Sequence, residues 1–288
     1  TVTQSYRACK MAASRRRESF LMRKFLISLT IGIILICNTV LSVFALEPTY
    51  DIQQLSSGLV KVSYASPADK KIKIAVEKDG TKVYYNLNND GIAESFPLQL
   101  GNGDYEIKVY ENISGTQYKQ VSSENVLLNL SDEKLVYLHS IQNIKWDGSM
   151  PAVQKARELT GRLNTDFEKI NAIYRYIIDN ILYDHGKMST ISTSYIPDIN
   201  ETFKSGKGIC YDFSSLFAAM LRSAGIPAKL VKGYTDNAVG YHAWNEVYDS
   251  AAGSWVTIDT TYDSQIKASG AAFTMIKDSG SYSKLYEY

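Results

Sequence analysis

The chain has 288 residues, of which 45% are hydrophobic and 21% charged with only 6 prolines, a balance that excludes a disordered or collagen-like polypeptide. Its formal charge of +1 is uneven, because Arg7, Lys10, Arg15, Arg16, Arg17, Arg23 and Lys24 face the single acid Glu18 in residues 1–45, which leaves residues 46–288 at a net −5. That larger part carries no cluster of Lys and Arg of the kind a phosphate backbone requires, so nucleic acid is not an expected partner.

In chain order, Met22-Arg23-Lys24 introduces an uncharged, Leu/Ile/Val-rich run from Phe25 to Leu46. A basic flank, an apolar run and the closing Val43-Phe44-Ala45 have the layout of an export signal, with cleavage expected after Ala45. A retained anchor is the alternative, since about 20 apolar residues suffice to cross a bilayer. Residues 1–45 are therefore read as a leader with its signal at 22–45, residues 1–21 are set aside, and the expected location is secreted or cell surface. Of the three cysteines, Cys9 and Cys37 fall within this leader and only Cys210 follows it. A lone thiol in an exported chain has no intramolecular disulfide partner, and its presence calls for a reason.

From Leu59 to Leu130 the apolar residues alternate: Val60, Val62 and Tyr64; Ile72, Ile74 and Val76; Val83 and Tyr85; Tyr105, Ile107 and Val109. Turn residues separate these runs at Ser66-Pro67, Asp79-Gly80, Asn88 to Gly91 and Gly101 to Asp104. Period two with regular turns predicts short antiparallel strands, and residues 46–133 are read as an immunoglobulin-like sandwich. The segment holds no His or Cys, so binding or spacing, with an independent fold, is its expected role.

Near Met150-Pro151 the period shifts to about 3.6, and residues 134–288 are read as a second, mixed domain. Thr165-Asp166-Phe167-Glu168 has the form of a capping box and predicts a helix start. Phe167, Ile170, Tyr174, Ile177 and Ile181 follow at steps of three and four as its buried stripe. Residues 184–207 are polar and aperiodic, a surface excursion. Cys210, Phe213, Phe217, Met220 and Ala224 then resume the helical step, closed by Gly225-Ile226-Pro227.

Cys210 thus opens a helix, where free amides favour a thiolate and can donate to an oxyanion. Taken alone, a Cys at such a place reads equally well as a small buried hydrophobe. Downstream, residues 228–234, 241–248 and 255–259 predict a meander ending in a hairpin. With residues 249–254 as the connection, 248 faces 255 and His242 lies diagonal to Asp259; with 249–252 the two are directly opposite. Either register puts them on one face. Such a pair suits an imidazole oriented by a carboxylate, and it also suits an ordinary cross-strand polar pair. His139 and His185 have no Cys or His at metal-ligand spacing, so no metal or other cofactor is expected.

Three blocks in order carry a family resemblance. Residues 206–228, from Gly206-Lys207-Gly208-Ile209-Cys210-Tyr211-Asp212-Phe213 to Gly225-Ile226-Pro227-Ala228, resemble the catalytic-helix signature of the transglutaminase-like superfamily. Tyr241-His242-Ala243-Trp244-Asn245-Glu246-Val247 is similar to its histidine strand, and Trp255-Val256-Thr257-Ile258-Asp259-Thr260-Thr261 to its aspartate strand. The departure is Thr260, where many relatives have Pro. The resemblance implies an α+β, papain-like catalytic domain with a helix packed on an antiparallel sheet, in a bacterial-type exported member. It implies a Cys210-His242-Asp259 triad that forms a thioester on a protein or peptide substrate with an accessible Gln or peptide bond. Cross-linking, deamidation and proteolysis are all outcomes of that chemistry. Trp244 is expected beside the site, and association with the cell wall or surface proteins is an expected partner relationship. The alternative is a catalytically idle envelope-binding protein that keeps the fold.

Overall fold

The computed structural model describes residues 47–192 and 194–288, so the basic leader and its apolar run lie outside the described residues. Two antiparallel sheets come first. One holds β1 (Thr49–Asp51), β2 (Leu59–Ser63) and β5 (Glu94–Pro97) in the order β1-β2-β5. The other holds β3 (Ile72–Lys78), β4 (Thr81–Leu87), β6 (Gly103–Ser114) and β7 (Gln117–Leu128) in the order β4-β3-β6-β7. The alternation that predicted strands is the alternation of burial: Val60 and Val62 from one sheet and Ile74, Val76, Ile107 and Val109 from the other are fully buried. Between β3 and β4, Lys78 pairs with Thr81, and Asp79 and Gly80 both adopt positive φ. A two-residue hairpin turn of that hand matches the twist of its strands.

The mixed part contributes α1 (Pro151–Thr160), α2 (Asp166–Asn180), β8 (Leu182–Tyr183), α3 (His185–Met188), α4 (Ile199–Ser205), β9 (Lys207–Gly208) and α5 (Cys210–Ser223). It continues with β10 (Ala228–Thr235), β11 (Ala238–Asp249), β12 (Ser254–Ile258), α6 (Thr260–Ser269), β13 (Ile276–Lys277) and β14 (Tyr282–Glu287). A five-stranded sheet in the order β13-β12-β11-β10-β14 backs α5. The capping box forms as expected: Glu168 N donates to Thr165 Oγ1, and Thr165 N donates to Glu168 Oε2. The stripe of α2 differs at one end, because Phe167 in the first turn is 47% exposed, while Ile173 and Ile178 join Ile170, Tyr174 and Ile177 in the core. Helix α5 is buried from Asp212 through Arg222, so it runs through the centre of the domain. The polar excursion is more structured than its sequence suggests, since it holds α3 and α4, and the parallel pairing of β8 with β9 clamps its two ends together just before Cys210.

A single hydrophobic cluster runs from Leu59 to Tyr288 and joins the two parts. Tyr85 of β4 meets the Tyr288 ring edge-on at 5.6 Å, Gln99 Nε2 donates to Tyr85 Oη at 2.7 Å, and Tyr137 Oη donates to Glu287 Oε1 at 2.6 Å. Arg222, at the end of α5, donates from Nε, Nη1 and Nη2 to the carbonyls of Ala228, His139 and Tyr288. Burial without a carboxylate partner pulls this guanidinium down to about 9. The described residues 47–288 belong to one compact unit.

Candidate active site

Cys210 is the first residue of α5, with Ile209 as N-cap. Two glycines shape the approach. Gly206 ends α4 at φ +64, and a side chain on Gly208 would stand 2.6 Å from Asp212 Cβ. The close neighbour at Gly208 is thus a side chain of the helix itself, and at Gly206 it is the Asn180 carbonyl, 3.1 Å from where a side chain would begin. Only 8% of Cys210 is exposed, so access to its sulfur is narrow.

His242 lies on β11, opposite Gly233 of β10, where a side chain would collide with Ser283 O and the Trp244 ring. The hairpin adopts the first of the two registers considered, with Tyr248 opposite Trp255 and Asn245 opposite Ile258. Asp259 does not continue the strand as expected. It follows β12 directly and caps α6, accepting a hydrogen bond from Tyr262 N on Oδ1 at 3.0 Å. Thr260 is then the first residue of that helix, a position that accommodates proline as readily as threonine.

The three predicted residues converge. His242 Nε2 lies 2.8 Å from Asp259 Oδ2, and the ring lines one cavity with Cys210. Burial opposes the charged ring, but the hydrogen bond to Asp259, together with the nearby Cys210, outweighs it and pushes His242 up to about 10. Trp244 stacks nearly parallel to His242, with centroids 6.4 Å apart, and Tyr282 closes against Trp244 at 5.0 Å. Asn245 ties β11 to α5 and β10 by donating from Nδ2 to the carbonyls of Ser214 and Lys229.

Sequence reasoning missed four residues around this core. Tyr282 Oη donates to Asp259 Oδ2 at 3.1 Å. Asp212 is wholly buried and accepts from Ile209 N at 2.9 Å, from Lys187 Nζ at 2.9 Å and from Tyr195 Oη. Lys187 and Tyr195 belong to the excursion, so this one carboxylate straps it to the start of α5. A carboxylate three residues after an N-cap is a legible helix-start signal, but Ile209 offers no oxygen to complete a capping box. Tyr282, Lys187 and Tyr195 had no local signal at all. Beside Cys210 and His242 opens a cavity of about 240 Å³ with Met188, Ile191, Tyr211 and Lys232 in its wall. Among the described residues no group of three or more His, Cys, Asp or Glu gathers at metal-binding distance, and the His185 ring packs against Tyr183.

Residues 153–260 match the model of the transglutaminase-like superfamily. Protein YebA of Bacillus subtilis (strain 168) is 32% identical over 146 residues, covering 43% of this chain and 19% of YebA. The kyphoscoliosis peptidase of Homo sapiens is 32% identical over 120 residues, covering 37% of this chain and 17% of that protein. The chain thus spans less than a fifth of the length of these relatives. Among solved structures, the periplasmic domain of TgpA from Pseudomonas aeruginosa is similar at 14% identity with a TM-score of 0.37, over 71% of this chain and 72% of that one.

Proposed function

Residues 153–260 form a transglutaminase-like domain, and on that premise we propose that the chain is an exported, cysteine-dependent acyl-transfer enzyme acting on protein or peptide amides. The observation that carries this reading is the position of His242, bonded through Nε2 to the buried carboxylate of Asp259 and facing the same cavity as Cys210. Cys210 Sγ attacks the carboxamide or peptide carbonyl, and free amides in the first turn of α5 receive the developing oxyanion. The protonated imidazole, favoured at neutral pH, gives its proton to the leaving nitrogen, and a thioester remains. The imidazole is then neutral and takes a proton from the second nucleophile. An amine yields an isopeptide bond; water yields deamidation or proteolysis. Asp259 holds the ring in the orientation that both transfers need. Export is supported by the basic flank and apolar run that precede Leu46.

The test incubates the protein with a Gln-bearing peptide and an amine reporter, with Cys210→Ala as control. Amine incorporation, or ammonia or peptide release without amine, is the expected result. Absence of all three in a folded protein returns the reading to an idle binding protein.

A further inference from the structure

We propose that the substrate chain runs from Cys210 along a lysine- and tyrosine-lined groove onto the outer face of the β4-β3-β6-β7 sheet, and that it is a polypeptide with carboxylates beside its reactive amide. The polypeptide nature rests on the acyl-transfer reading; the charge rests on the groove itself.

The path is continuous. The cavity at Cys210 shares Tyr195, Tyr211 and Lys232 with a second cavity of about 210 Å³, which lies between the two parts of the molecule. That cavity in turn shares Lys73, Tyr84, Asn86 and Ser194 with a third of about 550 Å³ on the sheet. Lys232, Lys73 and Lys71 follow one another along it, and none of the three cavities has an Asp or Glu in its wall. This is a one-sign surface in a part of the chain that is acidic overall.

The three lysines also differ from their neighbours. Lys70, Lys82 and Lys108, at or near the same sheet, are paired with Glu111, Glu77 and Glu77. Among the described residues, Lys71, Lys73 and Lys232 meet no carboxylate within ion-pair distance. Aromatic rings hold two of them instead: Lys73 Nζ stands 5.0 Å from the centre of Tyr118, and Lys232 Nζ 3.5 Å from Tyr211 and 5.2 Å from Tyr288. Ring faces orient an ammonium without cancelling its charge, so the charge stays available to a ligand. Burial pulls Lys232 down to about 8, and a substrate carboxylate would restore the partner that burial demands. Exposed tyrosines interleaved with lysines suit an extended peptide, whose side chains alternate between ring and charge.

Binding is separable from chemistry in the full chain carrying Cys210→Ala. Three labelled peptides with one Gln, flanked by Asp/Glu, by neutral residues or by Lys, would be compared by fluorescence anisotropy. The acidic peptide should bind on the order of tenfold more tightly than the neutral one, with the advantage shrinking as salt rises. Lys71→Glu/Lys73→Glu should erase that advantage with the melting temperature unchanged, and Lys232→Met should reduce it. Equal binding of acidic and neutral peptides overturns the proposal, as does an advantage that survives the charge reversal in folded protein. Lysine-dependent binding of polygalacturonate without binding of the acidic peptide also overturns it, in favour of an anionic sugar polymer. Failure of the wild type to acylate with any of the three peptides counts against the acyl-transfer reading, because the groove is judged by binding to the Cys210→Ala protein.

Discussion

Tyr282 and His242 share one oxygen: both bond Asp259 Oδ2, at 3.1 and 2.8 Å, although 40 residues of chain separate them. The tyrosine arrives on β14, an edge strand, and holds the carboxylate against rotation while leaving Oδ1 to cap α6. Tyr282→Phe keeps the ring against Trp244 and removes this donor, together with the acceptor that Asn237 Nδ2 uses at 3.2 Å. A hydrogen bond to a charged group contributes about 1.5–3 kcal/mol to stability, so the melting temperature should fall, and kcat/KM should fall with it as Asp259 loses a group that holds it in place. A steady-state profile of the purified variant checks this.

Cys210→Ala should abolish turnover, and His242→Ala should be nearly as severe, since it removes both base and acid. Asp259→Asn should cost less, below the roughly 10⁴-fold known for a serine triad. The capping role separates the two ways of removing Asp259: Asn still accepts from Tyr262 N, whereas Ala leaves that amide open and should cost about 1 kcal/mol more in stability. Parallel thermal melts and single-turnover acylation measure the two effects.

His242 is raised from 6.5 to about 10, so the folded state binds its proton more tightly than the unfolded state. The stability this contributes is fully present below pH 6.5 and is lost as pH rises toward 10. The difference in melting temperature between wild type and His242→Gln should therefore shrink steadily across that window. A difference that grows with pH would contradict the charged pair.

Asp212 is the strap between the excursion and the nucleophile helix. Asp212→Asn leaves Lys187 Nζ without its carboxylate beside a buried site and weakens the bond from Tyr195. Stability should fall by about 2 kcal/mol, at the lower side of buried-pair losses because Lys187 still reaches solvent. Amide exchange in residues 184–206 should quicken more than in α5, which mass spectrometry of deuterated peptides would show.

Tyr85 tests the shared core. It belongs to the all-β part, yet it is 3% exposed because Tyr288, Gln99 and Phe96 enclose it. Tyr85→Ala should cost about 3–5 kcal/mol and lower one cooperative transition for residues 47–288. Two separated transitions, with the mixed part unmoved, would show that the all-β part folds independently.

The sequence by itself determined the elements whose cause is local. Alternation placed β2, β3, β4 and β6, Thr165 and Glu168 placed the start of α2, and the 3–4 step from Cys210 with Gly225 and Pro227 bounded α5. It also brought His242 and Asp259 to one face, because strand register is set by the turn between them. What depends on residues far apart in the chain was decided only by the tertiary structure. Asp259 becomes a helix cap because α6 turns away directly after β12, and short-range pattern cannot distinguish that from one more strand residue. Phe167 has the right phase for the core of α2 but sits in its first turn, beyond the reach of the neighbours that cover Ile170. Tyr282, Lys187, Tyr195 and the lysine groove come from separate elements that meet only when the polypeptide closes on itself. Their contacts answer to no local spacing, since a buried carboxylate selects its partners by proximity in space and by the cost of leaving its charge unpaired.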